Sequence, residues 1–255
     1  MRIYLGFDDT DTIDADRGTG KLARWFQNQI PDSCQISGVL RQQLLVHESI
    51  PYTSHNSAAC VVIDAPEACF LKIIIDRAAQ HVGQYYLKGS DPGICAAIDG
   101  DSAMGDLMNF GRECTRNILT QKDALDAARQ VHLSGHGGTN DGIIGAAAAV
   151  GLTATGWYGR FIELDRLRKI PDIISVKDLE SFGVKVVSLD RDASVPKPEE
   201  MVITNNWVRP RLLGQEPVLM VVERGKEIWE NIGEKRQKRN HNAAGVLDKK
   251  QACLS

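Results

Sequence analysis

Carboxylates near the N-terminus are the first residues whose type and spacing could do chemistry. Asp8, Asp9 and Asp11 follow a short apolar segment, and Asp14 and Asp16 come just beyond them. At an effective dielectric constant near 20, two carboxylates about 4 Å apart repel each other by about 4 kcal/mol. A hard cation would neutralise them, because Mg²⁺ takes one or two carboxylates together with substrate phosphates. The alternative is a solvated acidic turn whose Asp and Thr side chains cap the backbone.

A second candidate site is the start of a helix, formed by Gly18, Thr19, Gly20 and Lys21. Free backbone N–H groups and the helix dipole make such a terminus an anion site. Lys21 adds a positive charge and Thr19 adds a hydroxyl. The segment is not a Walker A loop, because it lacks a glycine and a Ser or Thr that this pattern requires. The alternative is an ordinary capped helix with flexible glycines.

A third candidate site is a glycine-rich loop that leads directly into an Ala-rich helix. Gly137, Gly138, Asn140 and Gly142 belong to this loop, where the main chain could approach a ligand closely. The loop does not fit the G-x-G-x-x-G pattern of dinucleotide-binding folds. Glycine-rich turns without a ligand are common, so a structural turn and a ligand-binding loop both remain open.

Strands and helices must position these three candidate sites. Residues 2–7 form a predicted buried strand, and Thr19 is the predicted N-cap of a helix that ends before Pro31. Further strands are predicted over 38–47, 58–64, 94–98, 156–164, 184–189 and 218–223, and helices over 67–82, 101–117, 122–132 and 143–150. Strands interleaved with helices predict an α+β (mixed α/β) two-layer fold.

Composition limits the classes to which the protein can belong. The 255 residues are 43% hydrophobic and 25% charged, with a net charge of −3, which is ordinary for a globular protein. The longest run of small apolar residues, Ala146–Val150, is far shorter than the ~20 residues that span a bilayer. The N-terminus becomes acidic too early for a signal peptide. We therefore expect a cytoplasmic protein with six reduced thiols and no membrane partner.

Charge is distributed unevenly along the chain. From Gly233 to the end, six Lys or Arg residues face two acidic residues, a net charge of +4 that leaves about −7 for the preceding part. This stretch is polar and without pattern, so we expect a basic C-terminal tail.

Four segments, taken in order, resemble motifs of the archaeal agmatinylcytidine synthetases, which modify an isoleucine tRNA. Gly6–Asp11 resembles that family's N-terminus, and Ile50–Thr53 resembles its Ile-Pro-Tyr segment. Asp91–Gly93 resembles its Asn-Pro-Gly, and Gly142–Gly151 is similar to its glycine-rich helix. Order and approximate spacing agree over residues 1 to about 225.

The resemblance implies an ATP-dependent enzyme that activates the C2 oxygen of a tRNA cytidine so that agmatine can displace it. It also implies a kinase-like module followed by a ferredoxin-like domain. We expect the first over 1–133 and the second over 134–228, with the modules able to interleave, and the basic tail over 229–255.

Site residues also follow from the resemblance. By position, Asp8, Asp9 and Asp11 match the family's metal- and phosphate-handling carboxylates. Thr19 matches its reactive threonine when residues 13–16 are treated as an insertion. The family's Cys-Thr-Thr-Tyr reads Gly-Thr-Gly-Lys here, its Arg-Gly-Asn reads Ser-His-Asn, and an acidic position near Trp207 is an asparagine. The chain also ends before the family's OB-fold and zinc ribbon, which hold the tRNA.

Three hypotheses follow. The first is an enzyme that binds Mg·ATP and activates an oxygen of a small molecule by phosphoryl transfer. Here Asp8, Asp9 and Thr19 are catalytic, and the metal ligands are Asp8, Asp9 and Asp11. The residues expected to hold the nucleotide are Gly18, Gly20, Lys21, Gly137, Gly138, Asn140 and Gly142. The second is a tRNA-modifying enzyme aided by the basic tail, and the third is a nucleotide-binding subunit without transfer chemistry. The oligomeric state is not predicted.

Overall fold

A computed structural model describes residues 1–50, 55–189 and 194–233. Its first ten elements are β1 (Arg2–Asp8), α1 (Thr19–Trp25), β2 (Gln35–Gln43), β3 (Ser57–Asp64), α2 (Phe70–Tyr85), β4 (Gly93–Ile98), α3 (Met104–Cys114), α4 (Gln121–Ala127), β5 (His132–Gly135) and α5 (Gly142–Ala154). The others are β6 (Arg160–Glu163), β7 (Ile173–Ser175), α6 (Val176–Ser181), β8 (Lys185–Ser188), β9 (Met201–Ile203), β10 (Arg211–Leu213), β11 (Glu216–Gly225) and β12 (Ile228–Asn231). Short 3₁₀ turns lie at Phe26–Asn28 and Leu167–Lys169.

The strands of the described residues join into one twelve-stranded sheet. Its order is β5-β4-β1-β3-β2-β6-β10-β11-β12-β9-β7, and β8 pairs in parallel with β11. β1 lies between β3 and β4 and is antiparallel to both. Residues 3–7 of β1 are all buried, as a continuous apolar run predicts. β1 is therefore a central strand, and the acidic residues at and after its C-terminal end lie where the strand leaves the sheet.

Helices cover both faces of the sheet around β1. Ile3 and Leu5 pack in one cluster with residues of α1 and α2, and Tyr4 packs on the other face with α3 and α5. α5 is hydrophobic on all sides and buried along nearly its whole length, as expected of a helix enclosed in the core. Gly6 allows this helix to lie directly on β1, because a Cβ there would overlap the carbonyl oxygen of Ala146.

The mixed α/β fold class is confirmed, while some predicted boundaries are wrong. The predicted helix over 122–132 ends at Ala127, and His132 begins strand β5 instead. Leu133 pairs with Cys95 at the sheet edge, so pairing with β4 overrides the local preference. The predicted helix over 143–150 continues to Ala154, because contacts with the sheet and α3 stabilise its last turn.

The C-terminal part contains more strands than its sequence predicts. β7, β9, β10 and β12 have only three or four residues each, too short for a clear alternation of apolar and polar side chains. The predicted strand over 156–164 is shorter, because positive φ angles at Gly156 and Gly159 break its beginning. Residues 229–231, expected to begin the tail, belong to β12; residues 234–255 lie outside the described residues.

Residues on both sides of the expected domain boundary pack together. Position 133 lies inside β5, and α5 packs on β1 and β4 of the N-terminal part. The division into 1–133 and 134–228 stays a prediction. Five cysteines are free thiols, and Cys253 lies outside the described residues. Within the described ranges, none of the helices combines the length and apolarity needed to cross a membrane.

Candidate functional site

A cleft of about 770 Å³ lies at the C-terminal end of β1, within the size range of small-molecule sites. One part of its wall is acidic and another part is apolar. The acidic residues are Asp8, Asp9, Asp11, Asp91 and Asp141, and the apolar residues include Leu44, Ile50, Ile118, Leu119 and Ile144. Ile50 begins the Ile-Pro-Tyr segment, of which residues 51–54 lie outside the described residues.

Asp8, the last residue of β1, lies against the first turns of α5. Its carboxylate is so close to Gly145 that a Cβ atom there would overlap Oδ2. Burial raises the pKa of Asp8 to about 7, and the negative charges of Asp9 and Asp11 add to the effect. A positive charge in the cleft would therefore strongly stabilise the ionised form of this carboxylate.

Asp9 follows with a left-handed backbone, at φ 48°. Such a conformation is uncommon for residues other than glycine and is found often at functional sites. Burial raises the pKa of Asp9 to about 6, with further contributions from the charges of Asp91, Asp11 and Asp141. The charges of three other aspartates thus act on Asp9 at this point of the cleft.

Thr19 points its hydroxyl at Asp11. Oδ1 of Asp11 accepts hydrogen bonds from the backbone N–H of Thr19 at 3.0 Å and from its Oγ1 at 3.1 Å. Thr10 donates to the same hydroxyl oxygen from its Oγ1, also at 3.1 Å, and both threonines are buried. A hydroxyl that donates to a carboxylate has the geometry of a nucleophile beside its base.

Thr19 does not cap the helix with its side chain, contrary to the prediction. The N-cap is Gly18, and Thr19 is the first helical residue. The hydroxyl instead donates a hydrogen bond to Asp11, whose loop folds back over the start of the helix.

Asp91 fixes the glycine-rich loop. Its carboxylate accepts hydrogen bonds from the backbone N–H of Thr139 at 3.0 Å and from the Thr139 hydroxyl at 2.6 Å. Its carbonyl oxygen accepts from the N–H of Gly142 at 3.0 Å. Gly138 has φ 56°, and a Cβ atom there would overlap Oδ1 of Asp91. The glycines of this loop therefore make room for Asp91.

The structure brings some predicted site residues to the cleft and leaves others away from its wall. Asp8, Asp9, Asp11, Thr19 and Gly142 line the cleft. The residues that do not line it are Gly18, Gly20, Lys21, Gly137, Gly138 and Asn140.

Packing accounts for several of the residues away from the cleft wall. Nζ of Lys21 lies 5.2 Å from the ring centroid of Trp25, a cation–π distance. Gly20 faces Ile162, whose Cδ1 would be 3.0 Å from an added Cβ. Asn140 adopts φ 67° and lies over Gly135, where an added Cβ would meet its side chain.

Sequence reasoning missed Asp91, Asp141 and Gln121 as site residues. Nε2 of Gln121 donates to Oδ1 of Asp141 at 2.5 Å and to the carbonyl of Thr139 at 2.8 Å. The sequence indicates Asp91 only as the first residue of the segment that resembles the Asn-Pro-Gly of the agmatinylcytidine synthetases. The one local signal for Asp91 is its place three residues before the predicted strand over 94–98, since the start of β4 lies beside the end of β1.

The charge of the cleft is one-sided. Among the described residues that line it there are five aspartates and neither a lysine nor an arginine. In the part of the chain that the structure describes, no three His, Cys, Asp or Glu side chains form a ready-made metal cage. Mg²⁺ rarely uses such a cage, since it binds one or two carboxylates and takes its other ligands from phosphates and water. Asp8 and Asp9 fit that mode of binding.

Comparison with known proteins supports the fold. No family model and no curated protein matches the chain. Among solved structures, a tRNA fluorescent labeling enzyme is 24% identical with a TM-score of 0.51. A complex of TiaS, a tRNAIle2 agmatidine synthetase, with its tRNA and ATP is 23% identical, also with a TM-score of 0.51. Each match covers 59% of this chain and 36% of the other chain. The fold resemblance to the agmatinylcytidine synthetases is thus confirmed, and this chain matches about a third of their length.

Proposed function

We propose that this protein is an enzyme that uses ATP with Mg²⁺ to activate an oxygen of its substrate by phosphoryl transfer. The observation that carries the proposal is the gathering of Asp8, Asp9 and Asp91 around a cleft whose described lining contains no Lys or Arg. A triphosphate could enter such a cleft only with a divalent cation, because bare phosphate oxygens would face carboxylates. The shared fold with a solved complex that contains ATP supports the same choice.

The residues of the cleft take separate roles in this proposal. Asp8 and Asp9 would hold Mg²⁺, which supplies positive charge to the phosphate oxygens when bound. Asp11, predicted as a third metal ligand, holds the Thr19 hydroxyl at 3.1 Å and is placed to accept its proton. The Thr19 oxygen could then form a bond to the γ-phosphorus of ATP as the bond to the leaving ADP breaks. The phosphoryl group could pass on to the substrate oxygen as the bond from Thr19 to phosphorus breaks and Asp11 returns the proton to Thr19. The apolar wall would receive the nucleobase or the acceptor, which we expect to be a small molecule.

Calorimetry tests this proposal directly. ATP is titrated into the protein with Mg²⁺ and, separately, with EDTA. We expect saturable heat only with Mg²⁺, and an affinity at least 100-fold lower in Asp9→Asn. Asp126→Asn is the matched control, because Asp126 is exposed, does not line the cleft and pairs with Arg129 at 2.8 Å. If wild-type protein gives no magnesium-dependent heat, the proposal is wrong.

RNA as the acceptor is the second candidate, favoured by a row of arginines. Arg41, Arg160 and Arg211 are cross-strand partners on β2, β6 and β10, in the same row as Phe7 of β1. At about 4.8 Å between strands, the row extends from roughly 10 to 19 Å away from β1. Like charges directly opposite one another destabilise a sheet, and phosphates of an RNA strand would offset that cost. Nε of Arg41 also donates to Ser57, which lines the cleft.

Salt-dependent binding separates the two acceptor classes. If RNA is the acceptor, tRNA affinity should fall steeply with salt, and Arg160→Gln should lower the logarithmic salt slope by about one unit. Removal of residues 234–255 tests the contribution of the basic tail. ATP turnover with a small acceptor but without tRNA affinity would favour the first candidate. ATP binding without ADP, AMP or phosphoprotein would favour the nucleotide-binding subunit.

A further inference from the structure

A second pocket, of about 190 Å³, lies away from the cleft and shares no lining residue with it. It is formed by the 3₁₀ turn around Arg168 and by the segment that carries Trp207 and Arg209. Asn206 also lines it. The function proposed above makes no use of this pocket.

Beside this pocket, two arginines pair with one carboxylate and a third arginine lies near them. Oε2 of Glu163 lies 3.1 Å from Nε of Arg168 and 3.9 Å from Nη1 of Arg24. Arg209 is the third arginine, and the positive charges of Arg168 and Arg24 act on it. The group therefore carries a net charge of about +2 at neutral pH.

Arg209 has no acidic partner of its own among the described residues. Its Nη1 donates to the carbonyl of Val208 at 2.6 Å, and its guanidinium stacks over Trp207, with Cζ 3.9 Å from the ring centroid. Burial lowers the pKa of Arg209 to about 10, and the neighbouring arginines add to this effect. Partly buried cations that repel one another are costly unless an anion joins them.

We propose that this pocket binds the phosphate group of a small molecule, either inorganic phosphate or a phosphate monoester. A dianionic phosphate matches the net charge of +2, which a single carboxylate would leave half compensated. Guanidinium groups suit this ligand, because their planar forks bind phosphate oxygens in pairs. Arg168 and Arg209 both line the pocket, and so does Asn206, whose side-chain amide is a hydrogen-bond donor. The volume accommodates a phosphate with few additional atoms, so the rest of a larger ligand would extend into solvent.

Titration of inorganic phosphate into the whole protein, at constant ionic strength set with sodium chloride, tests the inference. We expect saturable binding by calorimetry and an increase in melting temperature. Arg168→Gln and Arg209→Gln should each weaken binding at least tenfold. Arg129→Gln is the matched control, because Arg129 is exposed and pairs with Asp126. Ribose 5-phosphate is the monoester probe, and a single-stranded oligoribonucleotide is the polynucleotide probe.

The outcomes separate this site from its alternatives. Without phosphate, Arg209→Gln should melt no lower than wild type, because the substitution relieves repulsion. Arg168→Gln keeps the test valid if Arg209→Gln fails to fold, because nearly half of the Arg168 side chain is in solvent. Asp9→Asn should bind phosphate normally, which separates this site from the cleft. The inference is wrong if wild type shows no saturable phosphate binding, if both variants bind as wild type does, or if only the oligoribonucleotide binds.

Discussion

The carboxylate of Asp8 lies directly on the backbone of Gly145, one turn into α5. No side chain fits between the end of β1 and this helix, because an added Cβ atom would overlap Oδ2 of Asp8. The position of the carboxylate in the cleft thus depends on the absence of a side chain at a residue far away in the chain.

Gly145→Ala should displace Asp8 and destabilise the fold. Alanine favours a helix over glycine by about 1 kcal/mol, so a net loss of stability would be a lower bound on the cost of the clash. We expect a loss of at least about 1 kcal/mol in urea unfolding and at least tenfold weaker binding of Mg·ATP. Gly105→Ala on α3 is the control, because nothing lies within 4 Å of its added Cβ, and it should be neutral or stabilising. Equal effects of the two substitutions would contradict the packing described here.

Asp8 should make the unfolding free energy of the metal-free protein depend on pH. Its pKa is raised to about 7 in the folded state, against about 3.9 in an unfolded chain. Its contribution is therefore fully present below pH 4 and is lost as the pH rises through 7. Three pKa units correspond to a loss on the order of 4 kcal/mol. Urea unfolding in EDTA at pH 5, 6.5 and 8 should show this decline in wild type.

Asp8→Asn provides the control for this pH dependence. The amide cannot ionise, so this variant should show a much flatter profile and exceed wild type in stability at pH 8. A wild-type profile that is equally flat between pH 5 and 8 would show that Asp8 is well solvated or already neutralised.

At Asp9, two substitutions should separate backbone strain from charge. Asparagine tolerates the left-handed region, whereas alanine there costs about 1 to 2 kcal/mol. With φ at 48°, Asp9→Asn should keep its melting temperature and lose ATP turnover. Asp9→Ala should lower the melting temperature and also lose ATP turnover. A large fall in the melting temperature of Asp9→Asn would mean that the acid is structural.

Thr19 offers a test of the hydroxyl beside Asp11. Thr19→Ser keeps the hydrogen bond to Oδ1 and should retain measurable ATP turnover, whereas Thr19→Val removes the hydroxyl and should abolish it. Thr19→Val also leaves Thr10 and Asp11 without this partner, so a moderate loss of stability is expected. Release of ADP or AMP from stable protein provides the measurement. Full activity in Thr19→Val would exclude the hydroxyl as the reacting group.

Gly138 tests whether the glycine-rich loop is built around Asp91. Gly138→Ala combines a strained φ of 56° with an overlap on Oδ1 of Asp91. Gly100→Ala has a strained φ of 87° but nothing within 4 Å of the added Cβ, so it measures the backbone strain alone. We expect Gly138→Ala to be the more destabilising by at least about 1 kcal/mol in urea unfolding. Similar losses in the two variants would show that the loop can move away from Asp91.

The acidic part of the candidate site follows from the sequence because its causes are local. A run of buried residues forms β1, and the carboxylates that follow must emerge together at the end of that strand. The resemblance of four segments also led to the correct fold, since these segments follow one another in the same order and at similar spacing. The resemblance also indicates Thr19, while its contact with Asp11 depends on how the intervening loop folds back.

The partners of these carboxylates could be determined only by tertiary structure. Asp91 reaches Asp9 because β4 runs antiparallel beside β1, and Asp141 arrives with the helix that Gly6 allows onto the same strand. Lys21 was expected at the nucleotide, but its side chain lies over Trp25. Spacing along a chain fixes which residues share one strand end or one helix turn. Which distant residues meet there is decided by close backbone packing, and a linear sequence does not encode that packing in any local pattern.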